Sequence, residues 1–317
     1  MSISVIYNIK RIKALWEKLY EANSEMSFYQ SFYWNYCLDK RTRLKNIKKN
    51  NAIIEYVICN ERMIAPLVVN KKEKTVFILG YEDSSDYLSF IYNSNDIETI
   101  SRDIGSILNC FKGYKFIVNK INQNMSMYRA VEMWTSSSTA VLEKKSSDCV
   151  YINTNYIGTI YDTMTKSSRQ NYRTSLNRLK KDNKSYRVEF KFSTLSKEFS
   201  LELYKLYCLR RNDCSENKKK RFDIGKIKRI LKTTKFGMNA DVLSKYGLTE
   251  PVFWAGIYID NVLAAFCEGA YTNDKKRLCI SRVATNPDFY IYSPGIIMFV
   301  DIIDKLRDDI DLFDLTR

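Results

Sequence analysis

The sequence contains no histidine, and that absence removes several chemistries together. Without imidazole there is no Ser-His-Asp triad, no Cys-His pair and no His-ligated zinc. Acid–base work falls to Glu, Asp, Tyr, Lys, Cys, the substrate or water. No apolar run is long enough to span a bilayer, and no signal peptide follows Met1. The eight cysteines are scattered, and the closest pair, Cys208 and Cys214, fits no common metal spacing. They read as small buried hydrophobes of a reducing compartment, so the expectation is a soluble, cytoplasmic chain without a metal.

What is present supports real cores. The 317 residues are 45% hydrophobic, enough for two domains. Lys and Arg number 51 against 36 Asp and Glu, a net charge of +15. Such a balance suits an anionic partner: a nucleotide cofactor, a nucleic acid or a membrane surface. No nucleic-acid-binding motif supports the second of these, and the aromatics are not interleaved with the basic clusters.

Along the chain, Ile9, Ile12, Leu15, Trp16, Leu19 and Tyr20 recur at helical spacing. An aromatic cluster from Phe28 to Trp34 leads into a second helix through Leu38, with Gln30 and Trp34 set apart from core packing as substrate contacts. Two apolar runs, 52–59 and 63–69, are split by Asn60-Glu61-Arg62 and predict a hairpin. Strands follow at 75–79 and 115–118, with a helix over 97–111 between them and Asp86 in the loop 80–89. The pattern fades between Trp134 and Asp148, which sets the domains at 1–146 and 147–317.

In the second half a strand resumes at Val150. Ser167 and Ser168 are positioned to cap a helix carrying Arg169, Arg173 and Arg178, and a strand over 186–192 and a helix through Leu209 come next. Asn217–Ile230 is a basic loop containing Lys218-Lys219-Lys220-Arg221. Two strands, 252–259 and 262–271, flank Asp260-Asn261, a strong hairpin signal. A strand ending at Ala284 leads through Asn286, Pro287 and Asp288 to Ser293-Pro294-Gly295. There a helix begins with Ser293 as N-cap and Pro294 in its first turn. A strand over 311–316 closes the unit. Strand, loop, helix N-terminus and strand form either an anion site or an ordinary capped β-α-β unit.

Several pieces, taken in order, carry a resemblance. They are FYQSFYW at 28–34, APLVV at 65–69, DYLSF at 86–90, YINT at 151–154 and RQNYRTSLNRLKK at 169–181. After them come LYKLYCLRR at 203–211, VLAAF at 262–266, YSPG at 292–295 and DLFDLTR at 311–317. The chain resembles the GNAT acyltransferases, and more closely the CelD/BcsL-type acetyltransferases, relatives of FemAB-like double-GNAT proteins. The resemblance implies an α/β chain of two GNAT-like domains, each a mixed, mostly antiparallel sheet flanked by helices. It implies acetyl-CoA or another acyl-CoA as cofactor. Ser293, Pro294, Gly295 and Ile296 would face the diphosphate, and the backbone of Arg282, Val283 and Ala284 would hold the pantetheine arm. The glycine-rich Q/R-x-x-G-x-G/A signature of typical GNATs is absent.

The expected activity is acylation of an amino group on an amino sugar, nucleotide sugar or glycan precursor in polysaccharide or cell-envelope biosynthesis. The alternatives are a FemAB-like aminoacyl transferase using charged tRNA and a non-catalytic nucleic-acid binder. Acyl transfer to an amine needs a base, and Glu268 sits inside an apolar strand. It is either that base, its pKa raised by burial, or the partner of a cation such as Arg282. Tyr292 either protonates the leaving thiolate or packs, and Asp288 either binds an amino substrate or caps its turn. Arg169 and Arg173 either meet a phosphate or form a solvated face, and Asp86 joins the substrate set. The family pattern continues past Arg317 with a glycine, a helix and a strand. The C-terminal domain is therefore expected to lack its last elements and to leave 311–316 as an exposed edge. Activity would then be weak, unless a second copy covers that edge, so monomer and homodimer both stand.

Overall fold

The computed structural model describes residues 2–46, 52–81, 85–139, 141, 143, 146–213 and 246–316. It divides into two compact units, Met1–Asp148 with the turn Thr272–Asp274, and Cys149–Tyr271 with Lys275–Arg317. Both are GNAT-like domains in which a mixed, mostly antiparallel sheet is flanked by helices.

The first unit runs β1 (Ile3–Ile6), α1 (Lys13–Glu21), α2 (Phe32–Asn46), β2 (Ala52–Cys59), β3 (Met63–Asn70), β4 (Thr75–Ile78), β5 (Ile91–Tyr92), α3 (Ile97–Asn109), β6 (Lys115–Ile117) and α4 (Ser126–Ser136). Its sheet order is β1-β2-β3-β4-β6, with β5 on β3. Asn60 and Glu61 both take φ 51°, the left-handed turn that reverses β2 into β3. Asp96 starts α3 by accepting from the amides of Glu98 and Thr99. The inward faces of β2, β3 and β4 then close over Ile100, Ile104 and Ile107 of α3 and Met127 of α4. Helix α4 escapes the sequence reading although Met127, Tyr128, Ala130, Val131, Met133 and Trp134 recur along it, because its end, Thr135-Ser136, runs into the Ser- and Thr-rich stretch taken as the domain boundary.

The second unit runs β7 (Tyr151–Asn153), α5 (Ile160–Thr163), α6 (Lys166–Lys181), β8 (Tyr186–Ser193), α7 (Lys197–Asp213), β9 (Val252–Ile259), β10 (Val262–Tyr271), β11 (Arg277–Thr285), α8 (Pro294–Leu306) and β12 (Leu312–Asp314). Its sheet order is β7-β12-β11-β10-β9-β8. Asp260 and Asn261, with φ 48° and 66°, form the two-residue turn between β9 and β10. Thr165, rather than Ser167 or Ser168, caps α6, accepting from the Ser168 amide. The core lies between the sheet and α8, where Ile297, Met298, Ile302 and Ile303 meet Phe253, Ala255, Cys267 and Ile280.

One expectation is overturned. Strand β12 is not an exposed edge: it lies between β11 and β7, paired parallel to the first and antiparallel to the second. Phe313 and Asp314 are buried accordingly. The cover comes from a three-residue strand about 160 residues earlier in the sequence, which also removes the reason for a second copy to pair there.

Candidate active site

In both units an antiparallel meander is followed, after a helix, by a strand parallel to its last member: β4 with β6, and β11 with β12. In the first unit β4 has only four residues, three of them paired with β6. In the second, β12 pairs with Arg277–Cys279 and then ends at Asp314, while β11 runs on to Thr285. The two parallel strands part at Ile280, where the Thr316 hydroxyl donates to the Ile280 carbonyl (2.9 Å).

The departure has a local cause. The register of β11 on β10 shifts between Glu268 and Gly269, so that Ser281 is an extra residue, a β-bulge. Gly269 permits the bulge. A Cβ there would stand 2.0 Å from the Cys279 carbonyl oxygen and 3.0 Å from the Ile280 Cα, both backbone. Ser281 Oγ is buried without a hydrogen-bond partner among the described residues. The sequence reading passed over both residues; a glycine beside an acid inside an apolar strand was the available signal.

Directly opposite each other at this bulge are Glu268 and Arg282. Glu268 is 0% exposed and its Oε2 lies 3.1 Å from Arg282 Nη1, whose side chain is 4% exposed. The Arg282 guanidinium also stands over the Tyr207 ring of α7, 5.3 Å from its centroid. Of the two readings of Glu268, the geometry is that of the buried ion pair.

Beyond Thr285 the chain makes a 3-10 turn, Pro287–Tyr292. Asn286, not Asp288, caps it, accepting from the Asp288 amide at 3.2 Å. The Asp288 residue is exposed. Ser293 closes the turn in the left-handed region, φ 45° and ψ 52°, and its side chain makes no capping bond to α8, contrary to expectation. An oxygen held in that conformation does not reach the first-turn amides, and the Ile296 amide donates instead to the Ser293 carbonyl (3.1 Å). Pro294 sits in the first turn, and a Cβ on Gly295 would meet nothing nearer than Thr285 Oγ1 at 3.8 Å. Ile296 follows, half-buried. Val283 is half-buried on β11, opposite Cys267, and Ala284 is buried opposite Phe266.

The Tyr292 hydroxyl donates to Asp182 Oδ2 (2.9 Å), and that carboxylate holds the phenol above its ordinary pKa. It is thereby a weaker acid than a free tyrosine. Arg178 Nη1 donates to the Ile291 carbonyl (2.7 Å), tying α6 to the same turn. Arg173 is exposed, its guanidinium 5.5 Å from the Tyr161 ring centroid, and Arg169 is half-buried near the start of α6. Lys218-Lys219-Lys220-Arg221 and Cys214 lie outside the described residues.

The first unit gathers Gln30, Trp34 and Asp86 into one cluster. Gln30 and Trp34 are each 2% exposed, so the expected separation from the aromatic core does not hold. Gln30 accepts from Ser27 N and Oγ and donates to the Tyr87 carbonyl, while Trp34 Nε1 donates to Ser85 Oγ (2.9 Å). Their polar groups hold the loop that carries Asp86, which accepts from the Tyr29 hydroxyl at 2.9 Å.

Neither a family model nor a curated protein matches the chain in sequence. Solved structures match in fold. The C-terminal (DUF2156) domain of a putative lysylphosphatidylglycerol synthetase from Agrobacterium fabrum superposes with a TM-score of 0.56 at 11% identity, over 98% of this chain and 78% of that one. FemX gives 0.53 at 9%, over 100% and 88%. The L-PGS structure from Bacillus licheniformis gives 0.50 at 13%, over 87% and 74%. At these identities the likeness is one of fold. No helix among the described residues is long and apolar enough to cross a membrane.

Proposed function

We propose that the chain is an acyltransferase of the CelD/BcsL type whose second domain carries the reaction, with acetyl-CoA or another acyl-CoA as donor. The reading is carried by one observation: β11 overhangs β12 beside the N-terminus of α8, where Ser293 makes no side-chain capping bond. Acyl-CoA supplies an activated acyl group, and the residues present fit it. The open backbone at Gly295, at the start of α8, suits a diphosphate, with Ser293, Pro294 and Ile296 around it. The backbone of Arg282, Val283 and Ala284 suits an extended amide-bearing arm. The acceptor would be an amine on a sugar or glycan precursor, met by the exposed carboxylate of Asp288.

A second reading, aminoacyl transfer from charged tRNA, is favoured by α6. Its sixteen residues, KSSRQNYRTSLNRLKK, include six cations and no acid. A thermal-shift series with acetyl-CoA, CoA and tRNA in parallel separates the two. The expected result is stabilisation by both CoA species and none by tRNA. Stabilisation by tRNA alone overturns the CoA reading.

A further inference from the structure

The first unit has an open surface cavity of about 450 Å³, with Lys10 and Lys40 exposed at its rim, that the proposed transfer reaction does not use. One wall is the turn after β1, with Tyr7 and Lys10; the other is α2, with Tyr36, Asp39, Lys40 and Arg43. Tyr36, Lys40 and Arg43 follow at intervals of four and three, which puts them on one face of the helix.

The charges in this cavity do not cancel. Arg43 is occupied: it forms a two-pronged ion pair with Asp39 through Nε and Nη2, and Nη2 also donates to the Tyr7 carbonyl (2.6 Å). Asp39 further accepts from the Tyr56 hydroxyl at 2.5 Å, so its charge is turned toward Arg43 and Tyr56. That leaves Lys10 and Lys40, neither of which forms an ion pair among the described residues. Their ammonium groups converge on Tyr36, 4.3 Å (Lys40) and 5.8 Å (Lys10) from its ring centroid. The Tyr36 phenol reports the resulting field: a hydrogen bond from Lys40, then the charges of both lysines, lower its pKa.

We propose that this cavity binds a small phosphorylated ligand, its phosphoryl group held between Lys10 and Lys40 beside Tyr36. Two compact ammonium charges match a multiply charged anion, whereas a monocarboxylate balances only one of them. The volume falls within the usual range for ligand sites, about 300–1,000 Å³, and exceeds what a bare ion fills. The Tyr7 and Tyr36 rings offer apolar wall to the remainder of the ligand.

The test is calorimetric titration of the full chain with inorganic phosphate and inorganic pyrophosphate at two salt concentrations. Three variants accompany the wild type: Lys10→Gln with Lys40→Gln, Lys71→Gln with Lys72→Gln on an exposed turn, and Gly295→Asp at α8. The first should bind pyrophosphate at least tenfold more weakly and the Lys71/Lys72 variant should stay within twofold of wild type, while Gly295→Asp, which removes only diphosphate binding at α8, should retain the binding that depends on Lys10 and Lys40. A wild-type protein that binds neither ion at millimolar concentration overturns the proposal. Equal losses in the two lysine variants, which would mark diffuse charge, overturn it also. A loss confined to Gly295→Asp does the same, by moving the anion to α8. Because the α8 variant is scored separately, failure of this site and failure of the acyl-CoA reading are distinguishable.

Discussion

Replacing Glu268 by glutamine separates two roles that one residue cannot fill together. As the general base of an acyl transfer, its loss would lower turnover and leave the fold intact. The structure instead sets its carboxylate at 0% exposure, 3.1 Å from a guanidinium of 4% exposure. At an effective dielectric constant of about 20, two unit charges at that distance attract by about 5 kcal/mol, and desolvation of both ions offsets most of this. Removing one partner is another matter, because the buried guanidinium keeps its desolvation penalty after the balancing charge has gone. Such changes cost about 3–5 kcal/mol. Glutamine keeps the shape of the side chain and a carbonyl dipole toward the guanidinium, which points to the lower end, about 3 kcal/mol. For a domain of this size each kcal/mol moves the midpoint by about 2–4 °C, so Glu268→Gln should melt about 10 °C below wild type by circular dichroism. Adding Arg282→Met should recover part of the loss, since no buried charge is then left to desolvate, although the glutamine amide keeps its own burial cost. A midpoint within about 2 °C of wild type, with turnover reduced, would refute the ion-pair argument and return Glu268 to catalysis.

Gly269→Ala should destabilise the second unit by about 3 kcal/mol or more, because its Cβ would stand 2.0 Å from a carbonyl oxygen that only a backbone shift can move; urea denaturation measures this, and a neutral result would mean that the bulge relaxes freely. Gly295→Ala should leave folding unchanged, since its Cβ has 3.8 Å of clearance. Gly295→Asp should also fold yet weaken CoA binding at least tenfold by calorimetry, because a carboxylate would then stand where the diphosphate approaches. Burial first, and then Asp39 for Tyr56 and Glu25 for Tyr92, raise these two phenols well above their ordinary pKa. Their contribution is complete below about pH 10 and is lost as the pH rises further, because only the unfolded chain then releases the protons. Denaturation between pH 9 and 11 should show stability falling with pH, with a shallower slope in Tyr56→Phe.

The elements that sequence made legible are those whose signals are local. Asp260-Asn261 and Asn60-Glu61 announce their turns because Asn and Asp accept left-handed backbone, and both pairs adopt it. Pro294 marks the start of α8 for an equally local reason. What stayed hidden depends on distant partners. Tyr151–Asn153 is too short to show a period, and nothing in it announces that it covers β12. Ser293 has the composition of an N-cap, but the preceding 3-10 turn delivers it in a conformation that cannot cap. Tyr292 gave no hint of Asp182, which arrives from the end of α6. The lysine cavity stayed hidden as well: the sequence reading carried the second helix only through Leu38, short of Lys40 and Arg43, and Lys10 reaches them only through the fold.

Comparison of the two units shows why one carries the candidate site. Both use the same plan, a meander and then a parallel strand reached after a helix. A plan of this kind makes a site only where the parallel pair separates, because paired strands satisfy one another's backbone groups and leave nothing for a ligand. In the first unit β4 ends one residue past its last partner on β6. In the second, Gly269 lets an extra residue into β11, and the strand continues six residues beyond its last pair with β12. The ion pair of Glu268 and Arg282 spans β10 and β11 at that same bulge, where it locks the register on which the separation depends. Sequence left Glu268 either a base or the partner of Arg282, and its 3.1 Å contact with that guanidinium at the bulge has the geometry of the second.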